Sequence, residues 1–117
     1  MTDQIEHRSE KRIGHKAKSL KIKSVTGAPQ LANKQFEGST VNISASGLQI
    51  ILDHAVPLNS AIDVWVTLDG DTRQHFLSGE VRWCSEAKSN EFHVGILLKD
   101  RTDIETDYKH WRGTFKR

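Results

Sequence analysis

The sequence has a single cysteine, Cys84, which excludes an intrachain disulfide framework and leaves no Cys-x-x-Cys pair for a zinc site. A lone thiol within a strand is a small core hydrophobe rather than a redox centre. Long apolar runs are missing too. No window approaches the roughly 20 apolar residues of a membrane span, and the first residues lack the apolar core of a signal peptide. A cytoplasmic protein without membrane insertion is expected. Charge of one sign is also lacking, because the formal net charge is only +2, so the overall balance does not point to a nucleic-acid polymer. Catalytic constellations are absent. Six histidines (7, 15, 54, 75, 93, 110) are scattered without His-x-x-x-His or carboxylate clusters at metal spacing. Ser44 and Ser46 have no nucleophile-elbow context, and no glycine-rich phosphate loop precedes a helix. Each histidine reads as a surface or satisfied core residue. No enzyme, metal or cofactor is expected.

At 117 residues the chain is long enough for one domain with a modest core. Positive charge is concentrated at its start: residues 1–25 hold seven Lys/Arg against three acids, leaving the remainder slightly acidic. Local basic segments attract phosphates. Residues 1–15 contain only Ile5 and Ile13 as large apolar groups and read as a flexible arm, with the folded domain over 16–117.

Alternation then dominates. Leu20 and Ile22 alternate with Lys21 and Lys23, a half-exposed strand from about Ala17 to Val25. Thr26 to Pro29 breaks it, and Gln30 to Glu37 is a polar connection. A hairpin follows at about 39–52, and Asp53 to Asn59 is a loop. Ile62, Val64, Val66 and Leu68 form the cleanest alternating strand, ended by the turn signal Asp69-Gly70-Asp71. Residues 73–84 make a strand of uneven parity, with Phe76 opposite Leu77 and Val81 and a bulge or bend expected at Gly79. Ser85 to Asn90 is a polar loop before Phe92, Val94, Ile96 and Leu98. Such spacing argues for an antiparallel barrel or sandwich.

The period changes at the end of the chain. Ile104, Tyr108, Trp111 and Phe115 share one helical stripe, and Thr102 with Glu105 resembles a capping box, so a helix over about 101–115 is expected. It would cover an end or side of the sheet.

Two features remain to carry function. Val41 to Leu48 is a strand, a Ser-Gly turn and a resumption of alternation, with compact polar groups (Asn42, Ser44, Ser46, Gly47) that admit close approach of a ligand. Arg8 and Arg12, four positions apart, can grip phosphate oxygens bidentately and lie flat on purine rings.

Together these residues resemble the paired signature of the PilZ family, Arg-x-x-x-Arg followed by Asp or Asn-x-Ser-x-x-Gly. Gly79-Glu80-Val81-Arg82-Trp83 and Phe92-His93-Val94-Gly95-Ile96 are similar to that family's last two strands. The resemblance implies a six-stranded antiparallel barrel with a C-terminal helix, serving as a bacterial receptor for cyclic di-GMP. It implies that Arg8 and Arg12 contact phosphates and guanines, that Asn42 and Ser44 bond guanine or sugar-phosphate, and that Gly47 holds the turn. Trp83 matches a position where some members place an aromatic near guanine; its other reading is barrel core. Ligand would order the arm against the barrel and signal to a protein partner controlling motility, biofilm or polysaccharide synthesis. His7 stands where members that bind an intercalated ligand dimer often have arginine, and Glu10 lies between the two arginines. The alternatives are an adaptor of the same fold that no longer binds nucleotide, and a small basic-armed barrel for RNA or single-stranded DNA using Trp65, Lys21 and Lys23.

Overall fold

Period-two apolar spacing places one face of an extended chain against a core, and strands form where the sequence has it. The computed structural model describes residues 17–37, 41–68, 70 and 72–115. Its strands are β1 (Ala17–Val25), β2 (Gln35–Glu37), β3 (Val41–Ile43), β4 (Gly47–Leu52), β5 (Ala61–Leu68), β6 (Gln74–Lys88) and β7 (Glu91–Lys99), and its helix is α1 (Tyr108–Thr114). They form one sheet in the order β2-β1-β5-β6-β7-β4-β3, with every neighbouring pair antiparallel. The all-β architecture with a C-terminal helix is therefore as expected. It departs from a closed six-stranded barrel in two ways. Short β2 adds a seventh strand, and the ladder runs from β2 to β3 without joining its ends. Curvature nevertheless brings β3 beside β1.

The alternating residues fill the concave side. Leu20, Ile22, Ile50, Leu52, Ile62, Val64, Val66, Leu77, Val81 and Val94 are each 2 % exposed or less, while Lys21 and Lys23 stay on the wet side of β1. Burying each such aliphatic side chain contributes about 1.5–3 kcal/mol before chain entropy is set against it.

Several local expectations are corrected. The connection at 30–37 is not merely polar: a 3-10 turn at Pro29–Leu31 drives Leu31 fully into the core, and β2 follows it. Gly79 sits in continuous pairing with no bulge. It is there because a Cβ would come 2.6 Å from the Leu97 carbonyl oxygen. The register shift falls instead between Val81 and Trp83, where Arg82 is the extra residue and β7 offers no counterpart. Residues 85–88 are strand rather than loop, pairing with Glu91–His93 beyond the edge of the core. An exposed ladder needs backbone partners but no apolar alternation, and Asn90 at φ 62° takes the left-handed turn that closes it. His75, expected to be a surface or satisfied core residue, is fully buried, and neither ring nitrogen has a hydrogen-bond partner.

The helix is shorter than 101–115. Residues 102–106 form bends, so Thr102 and Glu105 cap nothing. The helix begins after Asp107, whose carbonyl accepts the Trp111 N–H at 2.8 Å. Asp107 is held there by β6: its N–H donates to the Phe76 carbonyl at 2.8 Å, and its Oδ2 accepts the Phe76 N–H at 2.7 Å. Its Oδ1 accepts from Arg73 at 3.1 Å. Burial alone would raise the Asp107 pKa, but the Phe76 N–H and Arg73 outweigh it and hold the carboxyl below its ordinary range. Of the expected stripe, Trp111 and Phe115 are buried with ring centroids 5.0 Å apart and Tyr108 is half-buried, whereas Ile104 is exposed.

Candidate functional site

The hairpin expected from the sequence forms as read, with Ile43 opposite Leu48 and Asn42 opposite Gln49. Its turn is tied on every side. Ser44 N–H donates to the Gly47 carbonyl at 2.9 Å, and Gly47 N–H donates back to Ser44 Oγ at 3.1 Å. The Ser46 carbonyl accepts the Leu98 N–H at 2.9 Å. The Ser44 carbonyl accepts Trp111 Nε1–H at 3.0 Å. Ala45 packs against the core. A turn fixed this way presents its polar atoms at set positions without an ordering cost.

Gly47 has a steric role that the sequence did not disclose. A Cβ there would meet the Ile96 carbonyl oxygen at 2.9 Å, so glycine is needed for β4 to approach β7. The Ser44 hydroxyl accepts from Gly47 N–H, and its own hydrogen has only a long 3.4 Å contact with the Gly47 carbonyl. That leaves most of its donor capacity available.

The sheet register brings the candidate residues together. Asn42 on β3 lies opposite Gln49 on β4, Gln49 opposite Gly95 on β7, and Gly95 opposite Trp83 on β6. These four residues form one row across the convex face, three strand spacings or about 14 Å long. Trp83 is 43 % exposed, which removes its core reading. The bulge at Arg82 turns it outward, and its indole lies directly on Gly95, where a Cβ would come 2.2 Å from Cε2 and Nε1. Ser44 and Gly47 adjoin the row at the turn. Arg8 and Arg12 lie outside the described residues, as does the rest of the 1–15 arm.

Gln49 and Gly95 are the members that sequence reasoning missed. The signal for Gln49 was present, since a hairpin pairing 43 with 48 must pair 42 with 49. Gly95 had none, because nothing in a lone strand glycine says that a tryptophan will lie on it.

One position along, Glu80 faces Leu97. A hydrogen bond from Lys99 at 2.9 Å holds the Glu80 carboxyl below its ordinary range, with Arg82 adding to the effect from 3.9 Å. Two cations around one anion leave this flank of the row net positive, as a phosphate-bearing ligand requires. Among the described residues, no group of three or more His, Cys, Asp or Glu stands close enough to hold a metal ion. No helix there is long and apolar enough to cross a membrane.

The model of the PilZ domain matches residues 6–109. No curated protein and no solved structure matches the chain. The matched span contains the whole sheet, the Asn42–Gly47 turn and the Arg8 and Arg12 positions. A fixed polar turn, an outward tryptophan and a family match over most of the length agree, and the chain belongs to the PilZ domain family, a family of receptors that bind cyclic di-GMP.

Proposed function

We propose that this chain is a cyclic di-GMP receptor of the bacterial cytoplasm, binding its ligand on the convex row from Asn42 to Trp83. The observation that carries this reading is the register that aligns Asn42, Gln49, Gly95 and Trp83 on one face beside the fixed turn. Trp83 offers an indole plane for a guanine, already laid flat by Gly95. Asn42 and the Ser44 hydroxyl offer short-range hydrogen bonds to a base edge or the sugar-phosphate ring. Arg8 and Arg12 supply what the row lacks, which is bidentate cationic contact with phosphates and guanine faces. Ligand then holds the 1–15 arm over the row, and those contacts exist only in the closed state, so binding shifts the population toward it. The surface so formed signals to a protein partner controlling motility, biofilm or polysaccharide synthesis.

Calorimetric titration of the full chain with cyclic di-GMP tests this reading. Saturable binding quenched by excess unlabelled ligand in a fluorescence competition supports it, and the molar ratio distinguishes one ligand from an intercalated pair. Absence of heat and of any Trp83 response would discard it in favour of an adaptor of the same fold that acts without nucleotide.

A further inference from the structure

The other half of the convex face has a composition of its own. Lys21 on β1 lies opposite Trp65 on β5, and Trp65 lies opposite Phe76 on β6. The two rings contact at a centroid distance of 4.8 Å and a tilt of 43°. Lys23 sits at the second register shift of β1, and its Nζ lies 5.2 Å from the Phe76 ring centroid. Both lysines are exposed and both aromatics half-buried. Neither lysine has a carboxylate at ion-pair distance among the described residues. The nearest acid on the same face of β5, Asp63, is engaged: it accepts from Ser78 Oγ at 2.7 Å and faces Arg101 at 3.9 Å. A half-exposed aromatic pair flanked by two uncompensated cations is thus presented to solvent.

We infer that this face, built from Lys21, Lys23, Trp65 and Phe76, docks an acidic segment of a protein partner that carries an apolar anchor. Charge selects the partner. Unpaired lysines attract carboxylates during encounter and reject basic surfaces, and tryptophan beside a cation is the side-chain combination on which interface energy concentrates. The ring geometry argues against a single-stranded nucleic acid. Base stacking needs an open aromatic face, but Trp65 and Phe76 lean on each other and the Lys23 ammonium lies over the Phe76 ring. What remains open is ring edge and lysine, which suits an aliphatic side chain between carboxylates. Phe76 and Trp83 are separated along β6 by about 20 Å, so the face does not overlap the row proposed for nucleotide, and it is testable without cyclic di-GMP.

The test is a titration of the isotope-labelled full chain, followed by amide and indole N–H resonances. Three probes are used: a short synthetic peptide of glutamates around one leucine, the same peptide with serine for leucine, and oligothymidylate. The expected result is saturable movement of the Trp65 indole and of the Lys21, Lys23 and Phe76 amides with the leucine peptide, and weaker binding of the serine peptide. The double variant K21E/K23E is expected to weaken binding about tenfold or more, as reversing interfacial charge does, with an unchanged melting curve because both side chains are exposed. K21Q/K23Q should fall between. No saturable shift, shifts indifferent to K21E/K23E, or tighter occupation of the face by oligothymidylate would each overturn the inference.

Discussion

The indole Nε1–H of Trp111 donates to the carbonyl of Ser44 at 3.0 Å, fastening the most deeply buried side chain of the helix to the turn of the nucleotide row. The helix is anchored at its other end by Asp107, which replaces a missing strand partner for Phe76. Turn, helix and the start of β6 therefore form one mechanical unit. A change in how the helix sits is a change at Ser44.

Trp111→Phe keeps an aromatic ring but leaves the Ser44 carbonyl without its donor. An unsatisfied buried acceptor costs about 1–3 kcal/mol, so the urea midpoint should fall with an unchanged slope. Trp111→Ala should cost about 3–5 kcal/mol, because it adds a cavity to the lost bond. Equal stability of Trp111→Phe and the parent chain would mean that water replaces the indole at Ser44.

The three close-approach glycines should respond differently to alanine. At Gly47 and Gly79 the new Cβ meets backbone carbonyl oxygens of β7, which cannot move aside, and a loss of about 1–3 kcal/mol is expected from such overpacking. At Gly95 it meets only the indole of a partly exposed tryptophan. Gly95→Ala should leave the melting temperature nearly unchanged, shift Trp83 emission, and weaken cyclic di-GMP binding.

Arg8→Ala and Arg12→Ala should each weaken cyclic di-GMP at least about tenfold, the loss expected for a charge-assisted contact of about 1.5–3 kcal/mol. Asn42→Ala and Gln49→Ala should weaken it less, since each removes a neutral hydrogen bond worth about 0.5–1.5 kcal/mol. Wild-type affinity in both arginine variants would sink their assignment, and calorimetry decides it.

Acid should loosen the domain through His75. Burial holds its pKa below the ordinary 6.5; Arg73 and His110 push the same way, and the Val66 backbone and Asp107 oppose them. The native imidazole is neutral, stacked on His110 at 5.3 Å and set edge-on to Trp111 at 5.4 Å. The unfolded chain takes up the proton first as pH falls. This group's stabilising share is therefore complete above 6.5 and is lost as pH drops from there toward its lower folded value, by no more than about 1.4 kcal/mol per pH unit. His75→Leu should flatten the slope of unfolding free energy between about pH 7 and pH 5. An unaltered slope would assign the acid sensitivity to other groups.

Much of the sheet was legible because half-buried strands write their burial into the sequence. Ile62, Val64, Val66 and Leu68 did so without interruption, and all four point inward. Legibility failed where backbone pairing alone makes the structure. The β6–β7 extension past Ser85 buries nothing and so leaves no apolar signal. It failed again where a distant element decides: the Thr102 and Glu105 spacing suits a cap, yet the helix starts where Asp107 can serve Phe76 and Arg73. In the candidate site, the turn was readable from Asn42 to Gly47, and Gln49 was within reach of the pairing rule. Trp83 was not. Its outward aim depends on one extra residue, Arg82, whose placement only the partner strand determines.

The chain has three tryptophans, and each stands at a different depth and address: Trp111 under the helix, Trp65 beside the lysines, Trp83 on Gly95. Indole emission reddens with hydration, so the molecule carries its own optical labels for helix seating, partner docking and nucleotide capture. Single-tryptophan variants would give each event a separate colour, and the order in which the colours change on adding ligand would give the sequence of the signal.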